Sequence, residues 1–471
     1  MKNKSVYENV LLIIIFSFLL LFFLFILIFS NLRIILFNFA QTHAPRTIKP
    51  EETESLKKMI SILPIAGSII CGFFLLLLIR QDTIFSFIQN KYILISYIGI
   101  STISLLIRIT GFQFISVDYN AYVLPWLEHL SQNGHFFGII SIKSDYLPFY
   151  LYLLSIISFL PDYLWLSSVK IVSCVFDFLL AIIVGKIVFI LSNSRSRKLA
   201  AYSFILLCPT VFFNSGVWAQ CESIYATFTF LTLYFILEKK LSLALFFYGI
   251  AITIKLQVIF ILPFIIFLYF KQYFSLSKIL YIFIGILFTV LIGLPFGSHI
   301  QILRAYFKQL TGYSDQLTMN APSFYSLFNI QNDVNLFNRT GILFLFSILL
   351  VMLLFLIHTK QNLNDENSKI MHITLFFFST LIVPFFLPKM HERYFYLAEI
   401  ASILYIVIIP KRWYISLLII LPSCAAYFNF LFSNDTSLLP LGLIMMFAVI
   451  FVVKWTINII IQNKSNSFLR T

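Results

Sequence analysis

The sequence predicts an all-α polytopic membrane protein, and three observations carry that prediction. Of 471 residues, 60% are hydrophobic and only 11% are charged, where a soluble domain carries roughly a quarter charged. The apolar residues gather in runs, many near the about 20 residues that cross a hydrocarbon core of about 30 Å. The positive excess, 33 Lys+Arg against 19 Asp+Glu, falls in short turns between those runs, as in cytoplasmic loops. A water-soluble enzyme and a disordered polymer are excluded by this composition. Nucleic-acid binding is excluded too, because no basic soluble domain exists to carry it. Five Cys and no CxxC pair exclude a disulfide scaffold, and Cys71, Cys174 and Cys208 sit in apolar runs as small hydrophobes.

About fourteen spans follow from run length, near 10–38, 60–79, 92–115, 165–190, 199–213, 222–237, 241–254, 257–270, 278–297, 341–358, 371–387, 394–410, 412–432 and 438–461. The first run is too long for a signal-peptide core and lacks a small-residue cleavage site, so it reads as a retained span. The turns SNSRSRK (Ser192–Lys198), EKK (Glu238–Lys240) and PKR (Pro410–Arg412) are basic. With Lys2 and Lys4 cytoplasmic, parity sends all three turns to the same side, together with Lys464 and Arg470, as the charge bias requires. The chain then divides into 1–91, two N-terminal helices with an outer loop; 92–297, a membrane module with a first large outer loop at 116–163; 298–340, a second outer loop; and 341–471, the C-terminal helices. Within 116–163 the run Tyr146–Leu160 is too short to span comfortably, and counting it would break parity. It is expected to be a re-entrant or interfacial helix.

Polar residues near the membrane need a reason, and those of interest collect at the outer turns. Asp118 and Tyr119 follow the third span, and Asp145 and Tyr146 precede the short run. Trp218, Gln220 and Glu222 lie in GVWAQCESIYA, and Lys255 and Gln257 in AITIKLQVIF. His391, Glu392 and Arg393 lie in FLPKMHERYFYLAEI, and Asn320 in LTMNAPSFYSLF. Carboxylates and cations meeting on one surface from distant segments suggest a site for an anionic group. Each also has a structural reading: Asp118 as a span-ending acid, Arg393, His391 and Lys255 as snorkelling anchors, Glu222 as an acid favoured by a helix dipole. Arg108, inside the third span, is costly enough there to demand a partner.

The ordered set VDYNAYVLPWLEHLSQNGHF, YLPFYLYLL, NSGVWAQCESIYA, GIAITIKLQVIFILP, LTMNAPSFYSLF and FFLPKMHERYFYLAEI resembles a bacterial branch of the GT-C membrane glycosyltransferases, similar to the GPI mannosyltransferases. The resemblance covers residues 92–435. The turn that usually reads WGQ-C-D-S is here Trp218-Ala219-Gln220-Cys221-Glu222-Ser223, keeping the acid and losing the glycine.

The resemblance implies a GT-C-like outer loop and an inverting transfer of one hexose, mannose by analogy with those relatives. The donor would be a polyprenyl-phosphate sugar and the acceptor a glycan or glycolipid outside the cytoplasmic membrane. It implies Asp118 as the base, Asp145 and Glu222 as further acids or acceptor-site residues, and Lys255, His391 and Arg393 as holders of the lipid phosphate. Tyr119, Tyr146, Trp218, Gln220, Gln257, Asn320 and Glu392 would line the substrate. No cofactor is called for, a metal ion being left open. Besides the donor and acceptor, membrane lipids are the expected partners.

Two other classes fit the layout. A surface-polysaccharide polymerase or ligase would use the loop 298–340. A flippase or transporter would need ionisable residues near the bilayer midplane and an internal repeat; no repeat is evident, and the charges read as clustered at an edge.

Overall fold

The computed structural model describes residues 85–144, 146–311, 316–328, 334–359, 368–432 and 437–461. The expected spans near 10–38 and 60–79, and Asp145, lie outside the described residues.

The described chain is a helical membrane bundle. Its helices are α1 (Phe85–Thr110), α2 (Leu124–Gln132), α3 (Pro148–Ile157), α4 (Trp165–Ser192), α5 (Arg195–Leu207), α6 (Pro209–Phe212), α7 (Glu222–Leu237), α8 (Leu241–Ile252), α9 (Leu262–Phe270), α10 (Leu280–Ile292), α11 (Ser298–Thr311), α12 (Val334–His358), α13 (Lys369–Phe386), α14 (Tyr396–Ile408), α15 (Trp413–Leu431) and α16 (Leu438–Ile461). Six helical stretches among the described residues are long and apolar enough to cross a membrane: 92–110, 162–192, 334–358, 369–386, 410–431 and 438–461. The pair Arg195–Leu207 and Pro209–Trp218, bent by 51°, makes a seventh if counted as one span. The expected spans at 222–237, 241–254, 257–270 and 278–297 appear as shorter apolar helices, so length and composition count six or seven spans among the described residues. The run at Tyr146–Leu160 forms α3, ten residues long, too short to cross. The helix expected from 341 begins at Val334, because Asn335, Asn338 and Arg339 continue its turns instead of breaking them.

Helices α5 and α7 both pack on α4, α7 packs in turn on α8 and α8 on α10; α13, α14, α15 and α16 pack in sequence, and α5 against α14 joins the two sets. Helices α8 and α10 touch backbone to backbone. A Cβ on Gly249 would stand 2.1 Å from the Ile282 carbonyl oxygen, and one on Gly285 would stand 2.1 Å from that of Phe246. Small residues at helix contacts are how bundles gain close packing in lipid, where hydrophobicity offers no preference between tail and side chain.

The expected confinement of ionisable residues to one edge is corrected by the structure. Arg108, Lys170, Asp177 and Glu399 are fully buried on helices. Each has protein partners, as burial in low dielectric requires. Arg108 Nε donates to Asp177 Oδ2 at 2.8 Å, and its Nη1 donates to the Leu206 carbonyl at 3.0 Å and to Ser104. Ser215 Oγ donates to the same Asp177 oxygen at 2.5 Å. Glu399 accepts from Thr210 and Ser423. Asp177 is thus the partner that Arg108 demanded.

A two-stranded parallel ladder joins the loop after α11 to the turn between α13 and α14. Strand β1 (Thr318–Met319) pairs with β2 (Met390–His391), Thr318 facing Met390 and Met319 facing His391. Lys389 N–H donates to the Leu317 carbonyl at 2.7 Å.

Candidate functional site

The site is assembled where α1 ends, α7 begins, α8 ends and β2 leads into α14. Its first member is set by a buried lysine. Lys170 Nζ, from α4, donates to the carbonyls of Gly111 (2.7 Å), Phe112 (3.2 Å) and Phe114 (2.6 Å). These carbonyls belong to the turn after α1, where helical bonding stops and backbone oxygens are left over. An ammonium has three donors, and all three are used here. Two residues beyond Phe114, Ser116 Oγ donates to the Trp218 carbonyl at 2.8 Å and accepts from Tyr119 N–H at 3.1 Å. Asp118 is held between these fixed points and starts a one-turn π-helix, Tyr119–Val123.

The second member is the turn ahead of α7. A π-helix over Phe213–Trp218 stops at Ala219, whose φ of +66° is left-handed. Only Gly adopts that region without steric cost, so Ala219 holds this turn under strain. This turn aims Trp218 and Gln220 at Asp118: Trp218 Nε1 donates to Oδ2 at 3.1 Å and Gln220 Nε2 donates to the same oxygen at 2.7 Å. Gln220 is itself fixed, since Ser173 Oγ donates to its carbonyl at 2.6 Å and Tyr146 Oη donates to its Oε1 at 3.2 Å. Both bonds to the carboxylate fall on Oδ2; Oδ1 takes neither.

The third member is an ionic cluster. Lys255 Nζ donates to Glu222 Oε1, and Lys255 also lies over the rings of Tyr146 (5.3 Å) and Tyr225 (5.8 Å). Arg393 reaches three carboxylates: Nη1 donates to Glu392 Oε1 at 2.7 Å and stands 3.7 Å from Asp118 Oδ2, while Nε stands 3.5 Å from Glu222 Oε1. Its guanidinium also covers the Trp218 ring at 5.2 Å. His391 Nδ1 stands 3.8 Å from Glu392 Oε2. Burial works to raise the Glu392 carboxyl, but His391 and Arg393 outweigh it and hold the group below the usual carboxylate range.

Two buried polar atoms of the cluster, Glu222 Oε2 and Arg393 Nε, have no hydrogen-bond partner among the described residues, and neither does Gln257 Oε1, two residues beyond Lys255 in sequence. Orphaned buried groups of this kind are rare and costly, and these offer two acceptors and a donor to whatever occupies the site. Among the described residues no three His, Cys, Asp or Glu side chains gather as metal ligands.

Of the residues read from sequence, Asp118, Tyr146, Trp218, Gln220, Glu222, Lys255, Glu392 and Arg393 therefore form one contact network, and His391 adjoins it. Gln257 is buried two residues beyond Lys255. Tyr119 is buried and joins through its backbone N–H. Asn320 is exposed, with φ +61°, and is bridged by backbone to His391. Sequence reasoning missed Lys170, Ser116 and Ser173. A lysine inside the apolar run SSVKIVSC was the available signal for the first.

No protein-family model matches the chain, and no curated protein matches it.

Proposed function

We propose that the chain is an inverting membrane hexosyltransferase that takes a single sugar from a polyprenyl-phosphate donor and passes it to a glycan or glycolipid acceptor on the extracytoplasmic side. The observation that carries this reading is Arg393 standing beside Asp118 and Glu222 at once, with the unpartnered Oε2 of Glu222 on one of them. The acceptor hydroxyl loses its proton to Asp118 as its oxygen bonds to the anomeric carbon. The bond from that carbon to the phosphate oxygen breaks, and the phosphate leaves with the electron pair. Attack from the opposite face inverts the centre. Lys255 and Arg393 hold the departing charge, and a guanidinium suits phosphate by its planar fork. Sugar hydroxyls donate to Glu222 Oε2 and Gln257 Oε1, and a phosphate oxygen accepts from Arg393 Nε.

An apolar cavity of about 300 Å³ supports a lipid-linked donor. Its lining includes Ile259, just beyond Gln257, and Leu387, just before Lys389, and continues along α9, α12 and α13 through Leu262, Phe267 and Leu349. It contains no polar side chain, as a hydrocarbon chain would prefer. The full count of about fourteen spans, with both N-terminal helices in the membrane, belongs to this proposal.

The test is an in vitro transfer assay with purified protein and a panel of polyprenyl-phosphate hexoses. Wild-type protein consumes one member of the panel, Arg393→Lys transfers more slowly, and Arg393→Ala loses more. Consumption of none of them, or wild-type rates in both variants, overturns the reading.

A further inference from the structure

At the far end of the bundle a second cavity opens, this one partly polar, of about 490 Å³, lined by Lys186, Phe189, Ile190, Asn193, Lys198, Tyr234 and Glu238. Its distance from the first site follows from the helices. Ser173 and Glu222, at the first site, lie near the starts of α4 and α7, while Asn193 and Glu238 cap the opposite ends of the same helices. At 1.5 Å per residue that is about 20–30 Å away. On α4 the lining positions 186, 189, 190 and 193 fall on one helical face, and on α7 so do 234 and 238. The cavity is the cleft between those faces, closed at its end by the turn into α5.

That turn is built to bring a cation into the cleft. Asn193 takes φ +48° and reverses the chain within two residues, so that α5 starts at Arg195 and carries Lys198 back over α4. Gly185 leaves room for it: a Cβ there would stand 3.3 Å from both Cγ and the carbonyl oxygen of Lys198. The lysine stem therefore lies against the α4 backbone, and its ammonium opens on the same cleft as Lys186. Glu238 faces Lys240 at 3.7 Å, whereas neither Lys186 nor Lys198 has a carboxylate partner among the described residues. The cleft thus has walls of Phe189, Ile190 and Tyr234 and a rim that carries two ammonium groups, Lys186 and Lys198, against one carboxylate, Glu238, which is itself turned to Lys240.

We propose that this cleft binds the phosphate of an anionic phospholipid headgroup, at the end of the bundle that the charge bias assigns to the cytoplasm. The two ammonium groups hold the phosphate by charge-assisted hydrogen bonds. The walls receive the glycerol and first methylenes, and the volume lies in the range of small-molecule sites. Anionic lipid of the cytoplasmic leaflet is attracted there by the surrounding basic turns. The site is independent of any transfer chemistry.

Native mass spectrometry of the full-length protein in detergent tests this, with phosphatidylglycerol, phosphatidylcholine and free glycerol phosphate added separately. Wild-type protein retains phosphatidylglycerol at least tenfold more tightly than phosphatidylcholine. Lys186→Gln/Lys198→Gln removes that preference, and Lys186→Arg/Lys198→Arg keeps it, which separates loss of charge from misfolding. Equal retention of both lipids by wild-type protein, or an unchanged preference in the Gln pair, overturns the proposal. Free glycerol phosphate binding as tightly as the lipid overturns the lipid as its source.

Discussion

Asp118 Oδ2 stands 3.7 Å from Arg393 Nη1, although the two residues belong to turns far apart in the sequence. Close opposite charges stabilise one another, yet here each is also tethered by its own neighbours. Trp218 and Gln220 hold the carboxylate, and Glu392 holds the guanidinium. The pair is therefore oriented without being locked together, which leaves both groups free to engage a ligand between them.

Asp118→Asn preserves shape while removing the proton acceptor. If Asp118 is the base, transfer falls by roughly two or more orders of magnitude, with donor affinity nearly unchanged. Turnover and donor binding measured on the same preparation check this, and ordinary turnover moves the role to another acid, Glu222 first.

Lys170→Met leaves three backbone carbonyls without their donor in a water-poor interior. Each unsatisfied group costs about 1–3 kcal/mol, so the variant melts markedly lower in detergent. Because the clamp sits just ahead of Asp118, turnover drops further than donor affinity does. Lys170→Arg, which retains charge and donors, recovers part of both, and a variant equal to wild type in melting temperature would show the clamp to be idle.

Ala219→Gly should stabilise the protein. A Cβ in the left-handed region costs roughly 1–2 kcal/mol, and glycine returns about 0.4–1 kcal/mol through the freedom of its unfolded chain. The difference favours glycine by roughly 0.5–1 kcal/mol, visible as a small rise in melting temperature with Trp218 and Gln220 still in place. A fall in melting temperature would mean that the Ala219 methyl packs better than its backbone is strained.

Glu392 gives the turn before α14 an acid limit. Its native carboxyl lies below the ordinary value of 4.5, so its contribution is complete above that value and is lost as pH falls through the depressed native one. Stability is expected to hold through mildly acidic pH and to decline only below the ordinary carboxylate range. Glu392→Gln should flatten that acid limb of a melting-temperature profile while leaving its alkaline side unchanged.

The gathering of Asp118, Trp218, Gln220, Glu222, Lys255 and Arg393 was legible because each sits in a polar string between long apolar runs. Polarity at a membrane boundary marks such positions one at a time. The partners buried within helices were not legible. Arg108 signalled that it needed a counter-charge, but choosing Asp177 requires knowing that α1 and α4 approach each other, which hydropathy does not say. Lys170 was harder still, since its partners are backbone carbonyls and carry no signature in the side-chain sequence. The helix expected at 257–270 is shorter in the structure, because the apolar run continues through the 3₁₀ turn at Leu256–Ile261 ahead of α9 without any change in composition.

The two rungs between Thr318–Met319 and Met390–His391 have a mechanical consequence. The ladder pairs the segment Thr318–Met319 with the turn two residues ahead of Arg393, and Lys389 N–H adds a bond to the Leu317 carbonyl. The guanidinium therefore takes its position from a backbone segment about 70 residues earlier in the chain as well as from α14, and a substitution that breaks either rung acts on Arg393 without touching it.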